Sequence, residues 1–471
     1  MLEEIVGFLN TYLWGYVLIA ALLGLGVYFT VATRFVQFRY LGEMTRVLFE
    51  KSTITDGKSI SSFKSFCIGA ATRIGTGNLA GVAVAIGLGG PGAVFWMWIV
   101  ALVGGATSFV ESTLAQVYKI KDKKAFRGGP AYYIEKGLGK RWLGIIFAVL
   151  IALTFGLIFN SVQSNTISAA YENAFNMNGT VVGIVVTVLT GLVIFGGVHR
   201  IANVSSVVVP IMAVLYIILA IVVLVLNIGQ IPAMFMLIVK SAFGLEQAIG
   251  GGIGAAIMNG VKRGLFSNEA GMGSAPNAAA TASISHPAKQ GFIQTLGVYL
   301  DTLIVCSATA FIILMSGIYQ TGDVAGIQLL QDSLGDHVGN AATIFIAVAI
   351  FLFAFSSIIG SYYYGETNIE FIKESKPAIF VYRLATMGMV MVGATLPLAF
   401  VWSLADLFMA LMTLINLIGI ALLGKVAFKV LKDYEMQRKE GKDPTFDPQK
   451  LGIPNTECWG ADAGKKKDIA G

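Results

Sequence analysis

Eleven stretches of this chain run for about the length of a bilayer crossing with little or no charge in them. A helix needs ~20 mostly apolar residues to cross the hydrocarbon core. The runs lie at 12–33, 64–86, 92–118, 142–170, 180–197, 202–227, 249–282, 290–318, 339–365, 377–396 and 398–425. Their apolar residues are continuous rather than alternating, so each predicts a helix and not a barrel strand. The length would serve two or three soluble domains. Such domains carry about 25% charged residues, whereas this chain has 13% charged and 56% hydrophobic residues. The apolar surplus is therefore expected to face lipid. The start, MLEEIVGF, is acidic and lacks the basic region and small-residue cleavage site of a signal peptide, so the first run is read as retained.

Lys and Arg set the expected orientation. They crowd the segments after the first run (Arg34, Arg39, Arg46, Lys51, Lys58, Lys64) and after the third (Lys119, Lys121, Lys123, Lys124, Arg127, Lys136, Lys140, Arg141). Arg200, Lys289, Lys373, Lys376, Arg383 and the tail fall on the same side, and the opposite side offers little beyond Lys240, with Lys262 and Arg263 nearby. Positive charge marks the cytoplasmic side, which predicts an external N-terminus, a cytoplasmic C-terminus and an odd number of spans in a cell-membrane protein. The net charge of +6 is then a topology signal, with anionic lipid headgroups as partners and no nucleic acid. The tail after Lys432 is polar and reads as partly disordered.

Other chemistry is sparse. Cys67 and Cys306 lie in runs and Cys458 in the tail, which suggests neither a disulfide nor a zinc site. His199 and His286 are predicted on the side opposite His337, so the three cannot share a metal. There is no Walker A motif, no catalytic cluster and no charged ring of the kind channels use. An enzyme, an ATP-driven pump and a channel are disfavoured.

Two runs are interrupted. The first interruption is Gly69–Gly81 (GAATRIGTGNLAG), the second Gly264–Pro276 (GLFSNEAGMGSAP). Glycine costs a helix ~1 kcal/mol per residue relative to alanine, and unwound backbone at membrane depth is tolerated only beside protein or a wet cavity. Close helix packing through small residues is the plainer explanation for either segment alone. Setting the first run aside leaves ten, with the interruptions in the first and the sixth. Two halves of five spans have opposite topology, and paired interruptions at corresponding positions point to a secondary transporter's midplane site. The expected organisation is an extra N-terminal helix at 1–40, five-helix repeats at 62–227 and 249–425, and a cytoplasmic tail at 426–471.

GTGNLAGVAVAIGLGGPGAVFWMW, FVESTLAQVYK and GLFSNEAGMGSAPNAAA closely resemble the alanine or glycine:cation symporter family, the sodium:alanine symporters. The resemblance covers nearly the whole chain. It implies an all-α fold like that of the leucine transporter, a 5+5 inverted repeat preceded by one extra helix. It also implies Na⁺-coupled uptake of small neutral amino acids by a carrier read here as a monomer. Substrate and ion come from the resemblance alone.

For such a substrate, the carboxylate belongs where the first broken helix restarts. Gly75, Thr76, Gly77 and Asn78 are the candidates, with the N–H groups of Gly77, Asn78 and Leu79 facing the cavity. The ammonium suits the carbonyls at the end of the second half-helix, near Asn268, Gly271, Met272 and Gly273, with the Asn268 side chain as an added acceptor. Gln163 fits either this pocket or a helix–helix hydrogen bond. Phe155, Phe159, Phe266 and Met272 are candidates to limit substrate size, although ordinary packing explains any one aromatic. For Na⁺, the carbonyls of Thr72, Arg73, Gly75 and Thr76 are in range, and the resemblance implies that the hydroxyls of Ser356 and Ser357 complete the site. Back-bonding to the preceding turn is the alternative for these serines. Charges inside spans are functional candidates: Arg73 is expected to pair with Glu269, Glu111 and Asp301 could relay protons, and Lys262 and Arg263 are expected at the external mouth.

Overall fold

The computed structural model describes residues 2–50, 60–122, 125–245, 252–322, 326–339 and 341–459. Lys51, Lys58, Lys123 and Lys124, the start of the 249–282 run and the tail from 460 lie outside the described residues. The described chain is helical apart from one short antiparallel hairpin, Ile120–Asp122 with Ala125–Arg127. Among the described residues, seven helices are long and apolar enough to cross a bilayer, and three shorter apolar helices accompany them.

Local chemistry places the ends. Ser61 caps the Ser62–Arg73 helix by accepting from the Lys64 N–H, and Asn178 caps Gly179–Ile194 by accepting from Thr180, which satisfies donors that have no partner within the helix. Pro130 opens Pro130–Leu138 where its missing N–H costs nothing, and Gly139 in the left-handed region closes it.

Packing separates inner from outer helices. Gly92–Val117 lies at the centre, against Gly252–Asn268 and Ala288–Tyr299. Ala341–Ile372 packs on Asn160–Phe175. Gly197–Leu226 instead exposes Val207, Ile211, Val214, Leu215, Ile218 and Val222. That spacing forms one apolar stripe facing outward, the reverse of a soluble helix.

The two interruptions are real breaks. Ser62–Arg73 ends before Ile74 and Gly75, and the chain restarts through a π-helical turn, Gly77–Gly81, into Val82–Gly89. Gly252–Asn268 ends at a non-helical stretch, 269–274, followed by the short Ala275–Ala279 helix. Five of the described α-helices fall wholly outside the eleven runs: Val36–Arg39, Leu41–Leu48, Pro130–Leu138, Ile231–Ala242 and Ile327–Val338.

The tail departs from expectation. Leu398–Lys439 is one helix that continues past the last apolar run. Residues 440–459 then fold back on the body, with Phe446 and Ile453 buried. The polar composition that suggested disorder hides a few apolar anchors, and these suffice because a ready surface receives them.

Candidate functional site

The breaks are held against each other. A Cβ on Gly77 would lie 3.0 Å from Phe266 Cδ1 and 3.1 Å from Ser267 Cα, so only glycine permits the approach. Asp301 joins the two sides: Asn78 Nδ2 donates to Oδ1 (2.5 Å) and Ser267 Oγ donates to Oδ2 (2.7 Å). Thr302 Oγ1 also donates to Oδ2, and Cys306 Sγ lies 3.3 Å from Asn78 Nδ2 and 3.1 Å from Ser267 Oγ. Asp301 sits on a π-helical turn, Leu300–Cys306, and Phe155 and Phe159 on another, Thr154–Phe159. Such turns interrupt regular helix bonding and recur at functional sites. Three of them surround these breaks.

At the first break, the Gly75 N–H donates to Asn78 Oδ1 (2.9 Å), and the Asn78 N–H donates to Gly75 O (3.3 Å). The Asn78 N–H is thus engaged, contrary to the expectation that it faces a cavity. Gln163 Oε1 accepts from both the Thr76 N–H (3.2 Å) and the Thr76 hydroxyl. Ser357 Oγ donates to Ala71 O (2.7 Å) and Phe353 O (3.0 Å) and lies 3.5 Å from Thr72 O. A Cβ on Gly75 would fall 2.1 Å from that hydroxyl. Ser356 turns elsewhere, onto Phe353 O (2.9 Å) and Met212 Sδ (3.7 Å). Neighbouring helix positions differ by ~100°, so the two hydroxyls cannot face the break together. Thr72 Oγ1 bonds Gly69 O and the Tyr364 hydroxyl.

At the second break, Glu269, Gly271 and Gly273 all have positive φ (58°, 90° and 86°). For glutamate this conformation is uncommon. Its carboxylate accepts from Ser274 Oγ (2.6 Å). The Gly271 N–H donates to Glu111 Oε1 (3.0 Å), and Asn416 Nδ2 donates to Gly271 O and Glu111 Oε2, 2.8 Å each. The Tyr133 hydroxyl donates to Asn416 Oδ1. Glu111, a candidate proton relay, is buried and braces the second break. Met272 is buried beside it, and a Cβ on Gly273 would meet Asn416 at 2.7 Å. Asn268 Oδ1 accepts from the Ala270 N–H (3.0 Å), which leaves buried Nδ2 without a partner. The free group is a donor, where an acceptor was expected.

Three expectations about charge are corrected. Arg73 does not pair with Glu269; its Nη1 donates to Gln294 Oε1 (2.9 Å) and Gln294 O (3.3 Å), because the end of its helix aims at Ala288–Tyr299. Arg263 is buried rather than solvated, with Nη2 2.6 and 2.5 Å from the Asp406 oxygens. Lys262 is also buried, with Nζ 3.6 Å from Asp406. Burial is tolerated because the charges are paired. Arg263 also covers the Trp402 ring at 4.4 Å. An aromatic column continues from Trp402 to Phe266 (4.8 Å), Phe159 (4.6 Å), Phe155 (4.7 Å) and Tyr364 (5.4 Å).

Asp406, Trp402, Asn416 and Gln294 escaped the sequence reading. Asp406 carried the same signal as Glu111 and Asp301, a carboxylate inside an apolar run. Asn416 and Gln294 are single amides whose partners are remote in sequence.

The model of the sodium:alanine symporter family matches residues 1–448. The chain belongs to that family. The symporter is 57% identical to a Bacillus subtilis (strain 168) protein named probable sodium/glutamine symporter GlnT, over 98% of this chain and 96% of that one. It is 58% identical to the amino-acid carrier protein AlsT of the same organism, over 97% of each chain. Among solved structures it resembles the Eremococcus coleocola manganese transporter, with a TM-score of 0.54 at 13% identity over 83% of this chain and 89% of that one. That likeness concerns the fold alone. The symporter is thus a multi-pass membrane transport protein and not an enzyme.

Proposed function

We propose that this symporter couples Na⁺ entry to uptake of small neutral amino acids, alanine and glycine, by alternating access. The substrate lies between the two breaks and the chain has eleven spans, with repeats 62–227 and 249–425 of opposite orientation after the 1–40 helix. The N-terminus is external, the tail cytoplasmic, and lipid covers the Gly197–Leu226 stripe.

The observation that carries this reading is the meeting of the breaks, Gly77 on Phe266–Ser267 with Asp301 bonded to both sides. A zwitterion entering there finds the turn restarting at Gly77 and the unpaired Asn268 amide for its carboxylate. The carbonyls around Gly271–Gly273 serve its ammonium. Gln163, already bonded to Thr76, positions that turn. Phe159, Phe266 and Trp402, packed ring on ring beside the second break, limit the substrate to a small side chain. The ion belongs between Ser357 and the carbonyls at the end of Ser62–Arg73, a set in which Ala71 joins Thr72, Arg73, Gly75 and Thr76.

The test is uptake into liposomes. Labelled alanine accumulates with an inward Na⁺ gradient and not with K⁺ or a pH gradient alone. Accumulation driven by pH alone would reject Na⁺ coupling and turn attention to Asp301 and Glu111. A second reading, a carboxamide substrate, is favoured by the relative named for glutamine. Unlabelled glutamine that competes as well as alanine would select it.

A further inference from the structure

The tail grips the segment that links both broken helices on one face of the molecule. Ile60, just before Ser62–Arg73, pairs with Ala282, and the Ser283 N–H donates to Ile60 O (3.0 Å). Ala282 follows Ala275–Ala279, the last piece of the second broken helix. One turn inward, Ser65 Oγ donates to Ala278 O (2.8 Å). Residues 60–65 and 278–283 thus form a seam between the breaks and this face.

The tail closes over the seam from three directions. The Phe446 N–H donates to Ser285 O (3.0 Å), and Ser285 Oγ donates to Pro444 O (2.8 Å). Lys289 Nζ bridges Asp443 (2.7 Å) and Glu50 (2.6 Å). Trp459 Nε1 donates to Gln116 O (2.8 Å), while Gln116 Nε2 donates to Ala279 O and Ala282 O. Lys119 Nζ donates to Ala282 O (2.9 Å) and lies over both Trp459 and Phe126. Asn455 Nδ2 reaches Lys136 O (3.0 Å).

We infer that residues 441–459 are a latch that holds this seam shut, and that their release is a step in opening the face they cover. The inference rests on the alternating-access reading above. Two features set a latch apart from a permanent strut. The segment is anchored by Phe446, Leu451, Ile453 and Trp459 with the buried Pro444 and Pro448, lies outside the transmembrane bundle and otherwise holds on by hydrogen bonds and ion pairs, the makeup of a region that opens locally. It also touches Ser285, Lys289 and Gln116 rather than the breaks, so it can leave without dismantling the substrate site.

Labelling of a cysteine in the seam tests this without any substrate, so an error in the substrate assignment leaves the test intact. In a chain carrying Cys67→Ala and Cys458→Ser, Ser65→Cys reports seam opening through a water-soluble maleimide, read by mass spectrometry. Ser285→Cys and Phe446→Cys, neighbours through a backbone bond, are joined by a short bifunctional thiol reagent with a reducible link. The joined chain is expected to label at residue 65 at least about tenfold more slowly than the same chain after reduction, because the link denies the tail the locally open state that the reduced chain still reaches. The reduced sample serves as the folding control. Trp459→Ala, without the cross-linking pair, is expected to speed labelling several-fold. Equal rates in joined and reduced chains, or no effect of Trp459→Ala, would overturn the latch.

Discussion

Ser356 and Ser357 have the same chemistry and adjacent positions, yet the structure assigns them opposite surroundings, which makes them a controlled pair. Ser357→Ala removes a hydroxyl that lies 2.7 Å from Ala71 O at the end of the first half-helix. The lost bond is worth about 0.5–1.5 kcal/mol net. If Na⁺ shares that oxygen, losing one of its few hard ligands raises the Na⁺ concentration for half-saturation at least about tenfold, some 1.4 kcal/mol. Ser356→Ala removes a hydroxyl that bonds only its own helix and Met212. It is expected to cost at most about 1 kcal/mol of stability and to leave the Na⁺ response alone. A third variant separates shape from ligation. Gly75→Ala puts a methyl 2.1 Å from Ser357 Oγ, an overlap of the kind that costs about 1–3 kcal/mol. The double variant Gly75→Ala/Ser357→Ala removes that overlap, leaving a tight 3.2 Å approach to Ser357 Cβ. It should regain much of the fold without regaining the Na⁺ response. The assay is the thermal stability of purified protein titrated with Na⁺ against a K⁺ background, which needs no substrate. Equal Na⁺ curves for Ser356→Ala and Ser357→Ala would refute the assignment.

Three further outcomes are expected. Asn268→Asp replaces the unpaired buried donor with a second carboxylate facing the substrate's own, and should weaken alanine binding at least about tenfold; unchanged affinity would remove Asn268 from the pocket. Arg263→Met takes the close partner from the buried Asp406 carboxylate and leaves only Lys262 at 3.6 Å, which should cost up to about 3–5 kcal/mol, while Lys262→Met/Arg263→Met/Asp406→Leu, with every charge of the cluster gone, recovers much of it; the check is the fraction surviving heating in detergent, and a triple variant no better than the single would contradict the pairing. Tail docking should weaken in acid. Burial holds His286 below its ordinary value, against the pull of Asp433 and Asp443 and with the help of Lys289, and the bond from His286 holds Asp433 below its own. The His286 shift is downward, so its contribution is present above the ordinary histidine value of about 6.5 and is lost as pH falls below it, whereas the Asp433 shift acts only below the ordinary carboxylate value of 3.8. Hydrogen-exchange protection at Phe446, corrected for intrinsic rates, should drop between about pH 7.5 and 5.5, and His286→Asn should flatten that dependence.

Some of the site was legible before any contact was known, because backbone conformation is a local property. The glycines at 75, 77, 271 and 273 announce that helix will fail there, and helix fails within a residue or two of each cluster. Partnership was not legible. Arg73 and Glu269 looked like a pair because both lie in breaks, yet a side chain's partner depends on which way its helix end points, and Arg73 points at Gln294. Ser356 and Ser357 looked like one motif for want of a helix phase. The polarity of the tail was read correctly, but its destination was not, since the surface that receives Phe446 and Trp459 is assembled from residues 116–119 and 279–289.

By itself, the sequence determined that this is a membrane-spanning helical protein with two broken spans, since hydrophobic length and glycine content act through local rules. Only the tertiary structure decided that Asp301 ties the breaks together, that Glu111 and Asn416 brace the second, that Arg263 is neutralised by Asp406, and that the tail covers the seam. Each of those joins groups 34 to 343 positions apart, and at such separations geometry, not neighbourhood along the chain, selects the partner.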